Sequence, residues 1–164
     1  MTTTTAPVRT GVRNAAVARV VALVAIVAGA LLVIAGGVTW GMVSAKLADE
    51  NITVAEDAFA FGGQQVTNPW TAYAQADIIA HHALDSTGGK TYAELDREDP
   101  LREVAMNGSF LRASLFTSVV AFGIAALVMG LGVLFALLGW AVLVLDRRTA
   151  AVAAAPAGRE PQLA

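Results

Sequence analysis

Two stretches of the chain run without a charged residue for longer than the ~20 mainly apolar residues that a membrane-spanning helix needs. The first, Val20 to Ala45, lies between Arg19 and Lys46 and reads VVALVAIVAGALLVIAGGVTWGMVSA. The second, Ala113 to Leu145, lies between Arg112 and Asp146. A helix in a soluble core shows water one face, so it is rarely free of charge over such a length. The pattern predicts an all-α membrane protein, with transmembrane helices over 20–45 and 113–145. Between them, residues 46–112 are predicted to form a small, mainly helical extracytoplasmic cap. The second run is longer than one crossing requires. Its 33 residues give ~50 Å of helix, against a hydrocarbon core of ~30 Å and tilts that rarely exceed ~40°. Ser114, Thr117 and Ser118 sit at its outer end, so the helix is expected to start above the bilayer and enter it near Ser118.

The first run competes with a signal peptide. Arg9, Arg13 and Arg19 precede it, and Val43-Ser44-Ala45 resembles a small-residue cleavage site. Signal h-regions extend over only ~7–15 residues, so the run is read as a retained anchor. Orientation follows from the basic residues. The segment before the first run holds three Arg and no acid, and Arg147-Arg148 stands at the end of the second. Positive clusters stay in the cytoplasm, which puts both termini there and the chain in the plasma membrane as a multi-pass protein. The cap carries five basic residues against eleven acidic ones, a net charge of −6. The tails, 1–19 and 146–164, are small, polar, Pro-containing and low in complexity, and are expected to be disordered.

Turn signals divide the cap. Asn68-Pro69 is a helix start, since Asn caps and Pro suits the first helical position. Gly88-Gly89 is a stop. In the helix between them, Trp70, Tyr73, Ala74, Asp77, His81 and Leu84 fall on one face at 100° per residue. Ala72, Ala76, Ile79 and Ala83 fall on the other. A helix apolar on two sides is usually sandwiched. Asp99-Pro100 is a second start, and the helix after it is expected to continue into the second span, weakened or bent at Gly108. Residues 51–67, with Gly62-Gly63, show no period and read as an irregular connector with room for one short strand.

Composition agrees with this picture. Of 164 residues, 56% are hydrophobic and 15% charged, where soluble domains carry about 25% charge. There is no cysteine, which excludes disulfides, thiol catalysis, Cys-ligated metals and a lipidated N-terminal Cys. A net charge of −2 gives no general reason to bind nucleic acid. Gly88-Gly89-Lys90-Thr91 invites a phosphate-loop reading, but the full pattern needs a glycine where Leu84 stands. No nucleotide is therefore expected. Neither run contains an ionisable residue, which argues against a pump, transporter or charge-selective channel built from this chain alone.

Asp77, His81 and Asp85 follow at i, i+4 and i+8, so they share one helical stripe. Carboxylate and imidazole groups are ligands for Zn²⁺ or Cu²⁺. The plainer reading is an Asp77–His81 ion pair, since structural zinc takes four ligands and His82 lies ~100° round the helix. Trp70 and Tyr73 fit packing or interface anchoring, while Trp40 and Trp140, toward the ends of their spans, are expected in interface belts. Glycine stands at Gly29, Gly36, Gly37 and Gly41 in the first span and at Gly123, Gly130, Gly132 and Gly139 in the second. Small residues let helices approach closely in lipid. Gly123, Ala126 and Gly130 form one stripe of the second span, and Ala121, Ala125, Gly132, Ala136 and Gly139 the opposite one. One stripe can pack on the first span, which leaves the other for self-association or a larger membrane complex.

The stretch NPWTAYAQADIIAHHALDSTGGKTYAELDREDPLREVAMNGSFLRASLFTSVVAFGIAALVMG, residues 68–130, resembles a family of small membrane proteins from high-GC Gram-positive bacteria. The similarity covers both spans and the loop between them. Members often carry the automatic label of aromatic ring-opening dioxygenase. Such enzymes need an iron site of His and carboxylate ligands with an open position, whereas this chain has two adjacent histidines on one predicted helix. The resemblance implies a two-span membrane protein and transfers no catalytic residue. With no nucleophile–base–orienter set visible, the sequence reads as a non-enzymatic interaction or accessory subunit without a cofactor. A metal- or small-ligand-binding module using Asp77, His81 and Asp85 is the alternative. The retained-anchor reading expects the mature protein to keep residues 20–45. Intact-mass measurement of the protein purified from membranes checks this, and a mature N-terminus at Lys46 would overturn it.

Overall fold

The charge-free runs lie inside two helices longer than either. In a computed structural model that describes the backbone of residues 10–154 and the side chains of 15–149, α1 covers Thr10–Asp49, α2 Pro69–Ser86 and α3 Leu101–Ala154. Both helices overrun the boundaries drawn from charge. Residues 10–19 and 146–154, read from composition as disordered tail, are helical. The reason is local. A charged side chain marks where an apolar run stops, yet Arg and Ala are good helix formers, and neither flank contains a proline. The rest of each expected tail, 1–9 and 155–164, lies outside the described residues.

α1 and α3 are long and apolar enough to cross a membrane. Only 11% and 17% of their most apolar windows are buried, whereas a core helix of a soluble protein is mostly covered. Aliphatic side chains such as Val24, Leu31, Ile34 and Val38 on α1, and Val120, Ile124, Leu127 and Leu134 on α3, stand exposed.

The chain divides into two compact units, one of residues up to Val33 with those from Gly130 onward, the other Ile34–Met129. In the first, α1 and α3 meet through backbone. A Cβ on Gly29 would collide with the Gly132 carbonyl oxygen and lie 2.8 Å from the Ala136 nitrogen. One on Gly132 would lie 2.9 Å from the Val33 nitrogen, and one on Gly139 would strike the Ala22 carbonyl. Arg19 and Asp146 form an ion pair through Nε and Oδ2. In the second unit, Gly36 packs on α3 so closely that a Cβ would sit 2.8 Å from the Ala125 carbonyl oxygen. Trp40 then meets the fully buried Phe122 edge-on, with ring centroids 4.7 Å apart, an arrangement worth ~0.5–1.5 kcal/mol beyond the area it buries. Leu47 and Leu115 extend this core toward Val54, Val66, Ala72, Ala74 and Ala76.

The turn signals of the cap operate as read. Asn68 Oδ1 accepts from the Trp70 and Thr71 amides at 3.0 and 3.1 Å, and Thr71 Oγ1 accepts from the Asn68 amide at 3.3 Å, closing a capping box. At the other end Gly88 and Gly89 have φ of 64° and 83°, values that a side chain disfavours. The Gly89 amide returns to the Leu84 carbonyl at 2.7 Å. Asp99 Oδ1 accepts from the Leu101 amide at 2.9 Å and so starts α3. The connector holds one isolated antiparallel bridge, Thr53 with Gln65, in place of a strand. Gly108 has a packing role, since a Cβ there would lie 2.7 Å from Ala83 Cβ.

The glycines differ sharply in what surrounds them. Replacing Gly132 by Leu drives a side chain into α1 backbone, and the helix pair should lose several °C of melting temperature in detergent. Gly123→Leu, where a Cβ would meet nothing within 4 Å, should leave the melting temperature within about 1–2 °C of the parent, as expected for a substitution away from packed features. Equal losses in the two variants would contradict the packing described.

Candidate functional site

Chemistry-bearing side chains concentrate on α2 and the connector before it. His81 turns Nδ1 back on its own helix, 3.0 Å from the Asp77 carbonyl oxygen and 3.5 Å from Asp77 Oδ2. This is the local pairing of the plainer sequence reading. Asp77, His81 and Asp85 are not gathered as a ligand set, and among the described residues no three His, Asp or Glu side chains are placed to hold a metal ion. One helix brings two adjacent turns to an ion, while a tetrahedral site draws further ligands from a second element.

The second histidine makes the longer-range link. His82 Nε2 lies 2.7 Å from Asp57 Oδ2, joining α2 to the connector across 25 residues of sequence. The hydrogen bond from His82 holds the Asp57 carboxyl below the ordinary carboxylate range, with a smaller contribution from the imidazole charge. Glu94 is lowered likewise, by the Thr91 amide and hydroxyl, both 2.8 Å from Oε2. Sequence spacing selected His81 and passed over His82, because the latter's partner lies outside the helix. The available signal was the Ala55-Glu56-Asp57 stretch of a connector that has to fold back on α2.

Gln75 shows the same fold-back. Its Oε1 accepts from the Ala55 amide at 2.9 Å, and the Ser44 hydroxyl donates to the Thr67 carbonyl at 2.6 Å. The start of α2 is thereby held beside the end of the first uncharged run. Trp70, Phe59 and Tyr73 are exposed there. Tyr73 lies edge-on between Phe59 and Phe116, at 6.2 and 5.7 Å, and the Arg112 guanidinium lies over Phe116 at 5.3 Å. Trp40, expected at an interface belt, is instead part of the helix contact, whereas Trp140 faces outward.

Within the Ile34–Met129 unit, α1, α2 and α3 enclose a groove of about 680 Å³. Met42, Val43, Lys46, Leu47 and Glu50 line it from α1 and its end, with Gln75 and Ile79 from α2 and Leu111, Leu115, Ser118 and Ala121 from α3. Periodicity within one element does not reveal a groove that three elements build together. Chemically these residues offer paired charges, aromatic surface and an apolar groove.

Set against protein-family models, curated proteins and solved structures, the chain matches none of them.

The Asp57 shift has a defined sign. A carboxyl lowered in the folded state contributes stability above its unfolded pKa of ~3.9 and loses it as pH falls through the folded value. The connector amides of residues 53–58 should therefore exchange hydrogen faster, after correction for intrinsic rates, as pH drops below about 4. Asp57→Asn should show the faster exchange already at neutral pH and a flat profile. A wild-type profile equally flat would show that the link to His82 contributes nothing.

Proposed function

We propose that this is a two-span integral membrane protein, with both termini in the cytoplasm and residues 46–112 outside, that acts as a non-enzymatic interaction or accessory subunit. The observation that carries the reading is the exposed aliphatic surface of α1 and α3, two helices each long enough to cross a bilayer. In water that surface would be costly at roughly 25 cal/mol per Å²; in hydrocarbon it is at home. The exposed Trp140 and the Arg19–Asp146 pair lie toward one end of the runs, where interface anchors and ion pairs belong. The resemblance of residues 68–130 to small two-span membrane proteins of high-GC Gram-positive bacteria supports the same reading.

What such a protein presents outward is a capped helix and an aromatic cluster. Both are recognition chemistry. Trp70 and Phe59, at 70% and 65% exposure, are the side chains best placed for a partner, since aromatic residues concentrate the energy of protein contacts. The open glycines Gly37 and Gly41 on α1, and Gly123 and Gly130 on α3, meet nothing within 4 Å. They leave room for a further helix in the bilayer, from a second copy or a larger complex. Gly132 and Gly139 are excluded from that role by their contacts with α1 within the chain.

Because the protein has no cysteine, single-cysteine labelling reads the topology directly. In intact cells Ser86→Cys should react with an impermeant thiol reagent and Thr4→Cys should react only after the membrane is opened. The reverse pattern would overturn the orientation, and labelling of both without permeabilisation would overturn membrane insertion.

A further inference from the structure

We propose that the groove between α1, α2 and α3 binds one zwitterionic phospholipid, its acyl chain along the groove and its head group at Lys46 and Glu50. The proposal rests on the reading of α1 and α3 as membrane spans. A volume of about 680 Å³ falls within the ~300–1,000 Å³ of ordinary ligand sites, which are likewise mostly apolar with a few placed polar groups.

The walls are more apolar than their residue names imply. The Thr117 hydroxyl donates to the Ala113 carbonyl at 2.8 Å, and the Ser118 hydroxyl to the Ser114 carbonyl at 3.3 Å. Gln75 has spent its acceptor on the Ala55 amide. The lining is mainly apolar, through Met42, Val43, Leu115, Ile79 and Ala121, which suits hydrocarbon.

Position gives the direction of the occupant. Met42, Val43, Ser118 and Ala121 belong to the uncharged runs, while Lys46, Glu50 and Leu111 lie just past their ends. The groove therefore crosses the level at which a bilayer changes from hydrocarbon to head groups. From Met42 to Glu50 it follows α1 for ~12 Å. A docked helix would contact a span over much of the ~30 Å core; a groove this short fits part of one acyl chain.

Charge selects the head group. Lys46 and Glu50 are four residues apart at the rim, and Lys46 Nζ is 3.7 Å from Asp49 Oδ2. One ammonium against two carboxylates disfavours a head that is only anionic, as does the net −6 of residues 46–112. A head with both signs satisfies the rim, phosphate toward Lys46 and ammonium toward Glu50. The Lys46 side chain is 84% exposed and free to turn to it.

The test is native mass spectrometry of the full-length protein in detergent, titrated with phosphatidylethanolamine or phosphatidylglycerol of identical acyl chains. One phosphatidylethanolamine should be retained per chain, with a preference over phosphatidylglycerol of about 1.4- to fivefold, the range expected of exposed charge pairs. Replacing Lys46 and Glu50 together by Ala should erase the preference; both are surface residues, so the fold survives. Ala121→Trp fills the groove and should cut retention at least about tenfold, a loss of ~1.4 kcal/mol, while Gly123→Trp on the open face of α3 should leave it unchanged. Equal retention by the two Trp variants, a preference for phosphatidylglycerol, or a dimeric mass that Ala121→Trp abolishes would overturn the proposal. Correct labelling at Ser86→Cys with no lipid retained would overturn it alone; failure of the protein to insert would overturn it together with the reading beneath it.

Discussion

Backbone contact between α1 and α3 is the constraint from which the rest of the molecule follows. On the membrane-span reading proposed above, burying an aliphatic side chain against another helix gains little, because lipid tails are equally apolar. What remains is dispersion between closely approached atoms, and only residues without bulk permit that approach. Ala22, Gly29 and Gly36 recur every seven residues on α1, and Ala125, Gly132 and Gly139 do so on α3. A seven-residue period keeps small positions on one side of a helix. Within the first unit Ala22 lies at Gly139 and Gly29 at Gly132; within the Ile34–Met129 unit Gly36 lies at Ala125.

Within the Ile34–Met129 unit the contact changes character along the helices. Gly36 touches backbone, and one turn further on Trp40 and Phe122 set two rings between α1 and α3. Rings cannot occupy a backbone contact, so from here the core is built from side chains. Room opens for α2, whose Ala72, Ala74 and Ala76 are buried to the last few per cent. Alanine suits this place because it packs closely without losing side-chain entropy. Gly108 admits Ala83 by the same logic of small against small. The groove lies beside this packing, walled by larger residues on three elements.

Charge is confined to the periphery. His82 meets Asp57 and His81 meets Asp77 on the cap, with Lys46 near Asp49 at the end of α1 and Arg19 on Asp146 at the far ends of the runs. These pairs are solvent-facing on at least one side, where water screens their attraction. They position segments more than they stabilise them. Trp70, Phe59 and Tyr73 are exposed, and the groove is mainly apolar with Lys46 and Glu50 in its lining.

The amino-acid sequence by itself determined the local features. Hydrophobic length marked both long helices; Asn68-Pro69 set the start of α2, and Gly88-Gly89 its end to within a residue or two; Asp99-Pro100 preceded α3. Each of these depends on interactions within a few positions, which is why they are legible in one dimension. The helix ends toward the tails are not legible in the same way, because charge reports the edge of an apolar run while the hydrogen-bond ladder continues through Arg and Ala. Which glycines do the packing was not legible, since Gly36 and Gly37 differ only in rotation about the helix and the partner surface decides between them. The same holds for the histidines. Spacing favoured His81 and its two acids, but the pairing that crosses elements belongs to His82, whose partner is 25 residues away. The groove is tertiary altogether. Its walls come from three helices, and only the antiparallel return of the chain brings Met42, Ile79 and Ala121 around one space.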